Sequence, residues 1–145
     1  NIIKIFSDEK IYFHANQDKI MVEMDKIYLS RIITNLVSNA RQARDEEREN
    51  IINVDVEQRQ KRIIITVEDN GVGIPEELYA RIFEPKFTTK TSGMGLGLTM
   101  VRKMVEDYKG EITVSSEIWK GTTFTIFLPT NLKAKHEKVL EKAMV

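Results

Sequence analysis

Three groups of residues in this 145-residue chain have types and spacings that could do chemistry. Asp69 closes an apolar run and is followed at once by Asn70-Gly71-Val72-Gly73. A carboxylate there can accept a hydrogen bond from a ligand amino group, and the glycines let a ligand approach the backbone closely. Gly93-Met94-Gly95-Leu96-Gly97-Leu98 leads into a helical pattern, where free N–H groups and the positive end of the dipole favour phosphate. Asn35 and Asn39 stand four apart on another helical pattern, so both amides leave from one face. Amide oxygens are neutral, hard ligands suited to a Mg²⁺ ion that keeps several waters and bridges phosphates. Between the glycine clusters, Phe83-Glu84-Pro85-Lys86-Phe87-Thr88-Thr89-Lys90 has the make-up of a flexible cover. A base-reading point, an anion seat and a cover together suggest a nucleotide site.

Each signal has a bland counterpart. Asp before Gly initiates ordinary turns, and paired asparagines are usually helix-surface amides. The second glycine cluster is not followed by Lys-Ser or Lys-Thr as in a P-loop, and no strand runs directly into Gly93 as in a dinucleotide fingerprint. The ordered combination carries the weight that no single motif does.

The elements that must position these residues follow from periodicity. Residues 1–9 read as the end of a helix begun upstream or as a strand. Residues 11–14 and 20–24 are short β-type runs around the polar Asn16-Gln17-Asp18 turn, with His14 a strand surface residue. Asp25 caps a helix reaching about Arg44, with Leu29, Ile33, Leu36, Ala40 and Ala43 as its buried stripe. Residues 51–57 and 62–68 are central antiparallel strands joined by a Gln58-Arg59-Gln60-Lys61 turn. Pro75 opens a short helix to about Phe83. A second long helix runs from Met94 to Lys109 and stops at Gly110. Ile112 and Val114, then Phe124, Ile126 and Leu128, alternate as two closing strands around Trp119-Lys120-Gly121. This order predicts an α+β fold: an α/β sandwich whose mixed, mostly antiparallel sheet is covered on one face by helices.

Composition narrows the rest. Lys plus Arg equals Asp plus Glu at 22 each, so no overall field draws the chain to nucleic acid. Hydrophobic residues at 41% and charged ones at 30% are ordinary for a globular domain, and there is no Cys. No apolar run approaches the ~18 residues of a membrane span. The start at Asn1 without Met leads us to expect a piece of something longer. The domain proper is expected over 11–130, with 131–145 a charged tail compatible with a surface helix.

The motifs resemble those of histidine-kinase catalytic domains. Asn35-Leu36-Val37-Ser38-Asn39-Ala40 is similar to their N box, Asp69-Asn70-Gly71-Val72-Gly73-Ile74-Pro75 to the G1 box and Phe83-Glu84-Pro85-Lys86-Phe87 to the F box. Gly93 to Leu98 resembles the G2 box, and Gly121-Thr122-Thr123-Phe124 the final Gly-Thr element. The resemblance implies ATP in a Bergerat-type sandwich. In that picture Asp69 takes the adenine amino group, with Thr122 supporting it directly or through water, and Gly71 and Gly73 give access. Asn39 and Asn35 hold Mg²⁺. Gly93, Gly95, Gly97 and the amides around Leu96 and Leu98 seat phosphates. On the lid, beside Thr88 and Thr89, Lys90 either neutralises the terminal phosphate or is a solvent lysine. Arg41 or Gln42 reaches the phosphate from the first helix. Ile74, Ile82, Phe83 and Leu98 wall the base or are plain core.

One position departs from the pattern. Ala43 stands where many such kinases carry an aromatic able to stack on adenine, so base affinity here leans on Asp69 and the apolar walls. Asn39-Ala40-Arg41-Gln42-Ala43 with Phe87-Thr88-Thr89-Lys90 is most similar to the nitrogen-regulation group of sensor kinases. Related gyrase-type, MutL-type and chaperone ATPases place a glutamate where Asn35 stands. A carboxylate can activate water and a neutral amide cannot, so the resemblance implies transfer more than hydrolysis, with a hydrolysing ATPase of the same superfamily or a nucleotide-regulated docking module as the alternatives. The implied partners are a histidine-bearing dimerisation domain of the same parent protein and a response regulator. The implied setting is cytoplasmic, with the isolated domain a monomer and a parent that is membrane-bound or free.

Overall fold

The computed structural model of the protein describes residues 10–17, 24–85 and 94–130. Period-two alternation produces five strands: β1 (Lys10–Ala15), β2 (Ile51–Arg59), β3 (Arg62–Asp69), β4 (Glu111–Glu117) and β5 (Gly121–Pro129). They form one sheet in the order β1-β2-β3-β5-β4. β1 runs parallel to β2, and the other neighbours pair antiparallel, giving the expected mixed sheet.

The register stacks inward-facing residues into rows across β2, β3, β5 and β4. One row is Val56, Ile65, Ile126 and Ile112; the next is Val54, Val67, Phe124 and Val114. Helices α1 (Lys26–Gln42) and α2 (Met94–Asp107) cover this face, burying Ile32, Leu36, Leu98, Val101 and Val105 in the same core. Each such side chain contributes about 1.5–3 kcal/mol through burial. The opposite face carries Asp55, Glu68, Thr113 and Ser115 in the open, together with the part-exposed His14. The helices run antiparallel, since Tyr28 near the start of α1 meets Tyr108 just past the end of α2 edge-to-face at 5.7 Å.

Asp25 caps α1 as expected, its carboxylate accepting from the Ile27 N–H at 2.7 Å. The buried stripe differs from expectation. Ile32 is fully buried where Ile33 is only partly so, and Ala43 lies just past the helix as its cap. The turn between β2 and β3 is also shorter than periodicity implied. The Asn16 amide bonds both the Gln58 carbonyl and the Gln58 N–H, holding Gln58 and Arg59 in the strand and leaving Gln60 to turn at φ 54°.

The helix expected from Pro75 contracts to a 3₁₀ turn, Glu76–Leu78, followed by further turns. Its bonds are mostly to the carbonyl three back, as in Leu78 to Pro75 and Tyr79 to Glu76, a pattern that stays short. α2 ends at Asp107, before Lys109. Lys109 takes the left-handed conformation at φ 61°, whereas Gly110 is needed because a side chain there would run into the Phe127 carbonyl. Most of the 20–24 run lies outside the described residues, as do residues 1–9, 86–93 and 131–145; Met24 is buried. No helix among the described residues is long and apolar enough to cross a membrane.

Candidate functional site

The third row across the covered face breaks the apolar rule. Ile52 is followed by Asp69, Thr122 and Ser116. Asp69 is 6% and Thr122 3% exposed, so both polar groups sit almost wholly out of water. The Asp69 carboxylate accepts from the Gly71 N–H at 2.8 Å, and the Thr122 and Ser116 hydroxyls lie 2.8 Å apart. A cleft of about 250 Å³ at this end of the sheet is lined by Glu68, Thr123 and Ser115 of the open face, with Lys120 and the strand positions Asp69, Thr122 and Ser116 beside them.

The first glycine cluster is clamped between α1 and the β4–β5 turn. Val72 donates to the Ala43 carbonyl at 2.8 Å, and Trp119 donates to the Val72 carbonyl at 2.7 Å. A side chain at Gly71 would strike the Ala43 carbonyl; Gly73, at φ 82°, leaves equally little room beside Glu117. Arg48 holds the Gly71 carbonyl at 3.0 Å. Asn70 is a strut rather than a ligand group, accepting from the Ile51 N–H and donating to the Glu49 carbonyl, both at 2.9 Å.

Along α1, Asn35, Asn39 and Ala43 fall at successive four-residue steps and so share one stripe. Its ends lie about 12 Å apart at the ordinary helical rise. Asn35 faces Gly97 of α2, with its amide 3.9 Å from where a β-carbon there would stand, and Ala43 abuts Gly71. Asn39 lies between, 6% exposed, and its Nδ2 is buried without a hydrogen-bond partner. The stripe therefore joins the two glycine clusters with an unspent amide midway.

A family model described as histidine kinase-, DNA gyrase B-, and HSP90-like ATPase matches residues 24–132. Sensor histidine kinase ZraS of Escherichia coli (strain K12) is 37% identical over 126 residues, covering 87% of this chain and 27% of its own. The chain belongs to that family, as an ATP-binding domain of the sensor histidine kinase kind. Sensor kinase CckA of Brucella abortus (strain 2308) is 35% identical over 94% of this chain and 17% of its own length. The solved catalytic domain of histidine kinase ThkA, in a nucleotide-free form, superposes with a TM-score of 0.75 at 34% identity, covering 85% of this chain and 80% of that one. The chain thus spans about a quarter or less of these two curated sensor kinases.

Within this ATP-binding domain the remaining site candidates separate. Arg41 is exposed and Gln42 half-buried at the end of α1. Gly95, Leu96 and Gly97 lie in the first turn of α2, where N–H groups have no helical partner. Leu98 is 2% exposed in the core, one turn in, where helix geometry pairs its N–H with a carbonyl four back. Ile82 is buried and Ile74 packs against the core. Phe83 meets Phe124 edge-to-face at 6.3 Å and lies 5.5 Å beneath the Arg102 guanidinium, while its carbonyl accepts from Thr99. Thr88, Thr89, Lys90 and Gly93 lie outside the described residues.

Two residues at the site escaped sequence reasoning. Ser116 continues the Ile112–Val114 alternation, and that period was the available signal for its inward position. The Tyr79 hydroxyl donates to the Ser116 carbonyl and accepts from the Ser116 N–H, both at 2.8 Å. Nothing in sequence spacing marks that contact across 37 residues.

Proposed function

We propose that this domain binds Mg-ATP and donates the γ-phosphoryl group to a histidine on a separate dimerisation domain of its parent protein. The observation that carries the reading is the α1 stripe, which runs from Gly71 beside the Asp69 row to Gly97 at the head of α2. Asp69 takes the amino group of the base. Ile74 and neighbouring apolar side chains flank it, and Thr122 stands beside Asp69 in the same row. The unpaired amides of the first α2 turn receive phosphate, with the helix dipole adding to their pull. Arg41, Gln42 and the lid residues Thr88, Thr89 and Lys90 supply further polar groups to the phosphates.

The residues fit a metal ion. The orphaned Asn39 amide can rotate to present its oxygen at the same place, and Asn35 stands one turn away facing Gly97. Asn39 and Asn35 would hold a magnesium ion there, and its charge would offset that of the triphosphate. Asn35 is neutral and cannot take a proton from water, so the bound triphosphate waits for an external nucleophile. After the histidine, a response regulator is the next acceptor, in the cytoplasm where ATP is supplied.

The test is a binding titration with labelled ATP, with and without Mg²⁺. Asn39→Ala should weaken the Mg²⁺-dependent part about tenfold and leave Mg²⁺-free binding near its starting value. Adding the histidine-bearing helical domain should then yield acid-labile phosphate on that partner. Label on His14 or His136 of this chain alone, or steady phosphate release without any acceptor, would overturn the proposal.

A further inference from the structure

The geometry points to Ser116 as a positioning residue that sets which base the site takes, an inference resting on Asp69 receiving a base as proposed above. A serine hydroxyl has one proton and two lone pairs. Ser116 Oγ lies 2.8 Å from the Gly121 carbonyl oxygen, 2.7 Å from the Ile74 nitrogen and 2.8 Å from Thr122 Oγ1. The carbonyl can only accept, so the serine proton goes there. The Ile74 N–H can only donate, so it takes one lone pair. The second lone pair is left for Thr122, whose own proton must therefore point at Ser116. Were Ser116 to donate to Thr122 instead, two oxygens 2.8 Å apart at Gly121 would face each other without a proton between them.

The consequence falls on the site. Thr122 shows only lone pairs toward the space beside it, and its neighbour across the strands is Asp69, an acceptor when ionised. Two nearly buried acceptors side by side favour a group carrying two hydrogens. A 6-aminopurine offers that group, whereas a 6-oxopurine puts a carbonyl oxygen against both. Ser116 acts only through Thr122. It is held in turn by the Tyr79 hydroxyl, which satisfies its backbone where β4 forms the sheet edge.

Competition binding with ATP and inosine triphosphate, its 6-oxo counterpart, tests this on the whole chain. The unaltered domain should prefer ATP by at least about tenfold. Ser116→Ala releases the Thr122 proton, so the preference should fall about fivefold or more, with inosine triphosphate binding no worse than before; Ser116→Thr should restore it. The same exchange made on a Thr122→Val background should leave the ratio unmoved. Equal weakening of both nucleotides by Ser116→Ala, or the same effect without Thr122, overturns the inference while leaving ATP binding in place. If Ser116→Ala does not fold, Thr122→Val alone decides, and an unchanged preference overturns it. Failure of the unaltered domain to bind ATP removes the functional proposal and this inference together.

Discussion

The helix-covered face of the sheet has an apolar end and a polar end, built on the same strands by the same alternation. At the apolar end Ile63, Ile65, Ile126 and Leu128 are at most 1% exposed and face only other hydrocarbon. At the polar end the inward positions are the nearly buried Asp69 and Thr122 and the half-buried Ser116, with Thr122 and Ser116 joined by a hydrogen bond and Asp69 accepting from the Gly71 N–H. The backbone treats both ends alike, so the site costs no special fold. It is the last row of a packed platform, and the platform holds it still.

That division gives its sharpest test in two exchanges. Ile65→Ala opens a cavity at the apolar end and should cost about 2–5 kcal/mol of stability by chemical denaturation, with the folded fraction binding ATP as before. Asp69→Asn keeps an oxygen for the Gly71 N–H, so the denaturation midpoint should barely move. The charge-assisted bond to the base is lost, and ATP affinity should drop on the order of 100-fold. Equal losses of stability in the two variants would erase the distinction between the ends.

Gly71→Ala probes the join between them. Its new methyl group would meet the Ala43 carbonyl, which already receives the Val72 N–H. The loop must shift, and both quantities should suffer: about 1–3 kcal/mol of stability and a measurable part of the ATP affinity. Isothermal titration beside thermal melts separates the two. A loss in stability alone would mean that the loop braces the fold without shaping the site.

Much of this was legible before any coordinates. Alternation and turn chemistry foretold the strands, and the Asp25 cap marked the start of α1, because both depend on neighbours close in sequence. The polar residues Asp69, Asn35 and Asn39 stood out because they interrupt or border apolar patterns. What stayed hidden depends on distant partners. Ser116 is one half of the Ser115-Ser116 pair until the sheet places it opposite Thr122 and under Tyr79. Ala43 looked like core because its methyl group fits the stripe, yet its carbonyl serves Val72. The turn expected over Gln58 to Lys61 starts only after Arg59, because Asn16, 42 residues away from Gln58, ties that residue into the sheet.

The smallest effect concerns the far side of the clamp. Trp119, the only tryptophan, sits in the turn at φ 66° with 63% of its surface exposed. A left-handed backbone costs an L-residue roughly 1–2 kcal/mol, and an exposed indole recovers little of that by packing. Glycine removes the strain but loosens the unfolded chain by about 0.5–1 kcal/mol. Trp119→Gly should therefore leave the domain more stable by up to about 1 kcal/mol, read by far-ultraviolet circular dichroism since the indole signal is gone. The N–H that holds the Val72 carbonyl survives the exchange, so ATP affinity should stay within about twofold. A lower melting temperature would show that the indole packs on the turn; unchanged stability with weaker ATP binding would put its side chain, and not only its backbone, among the supports of the polar row.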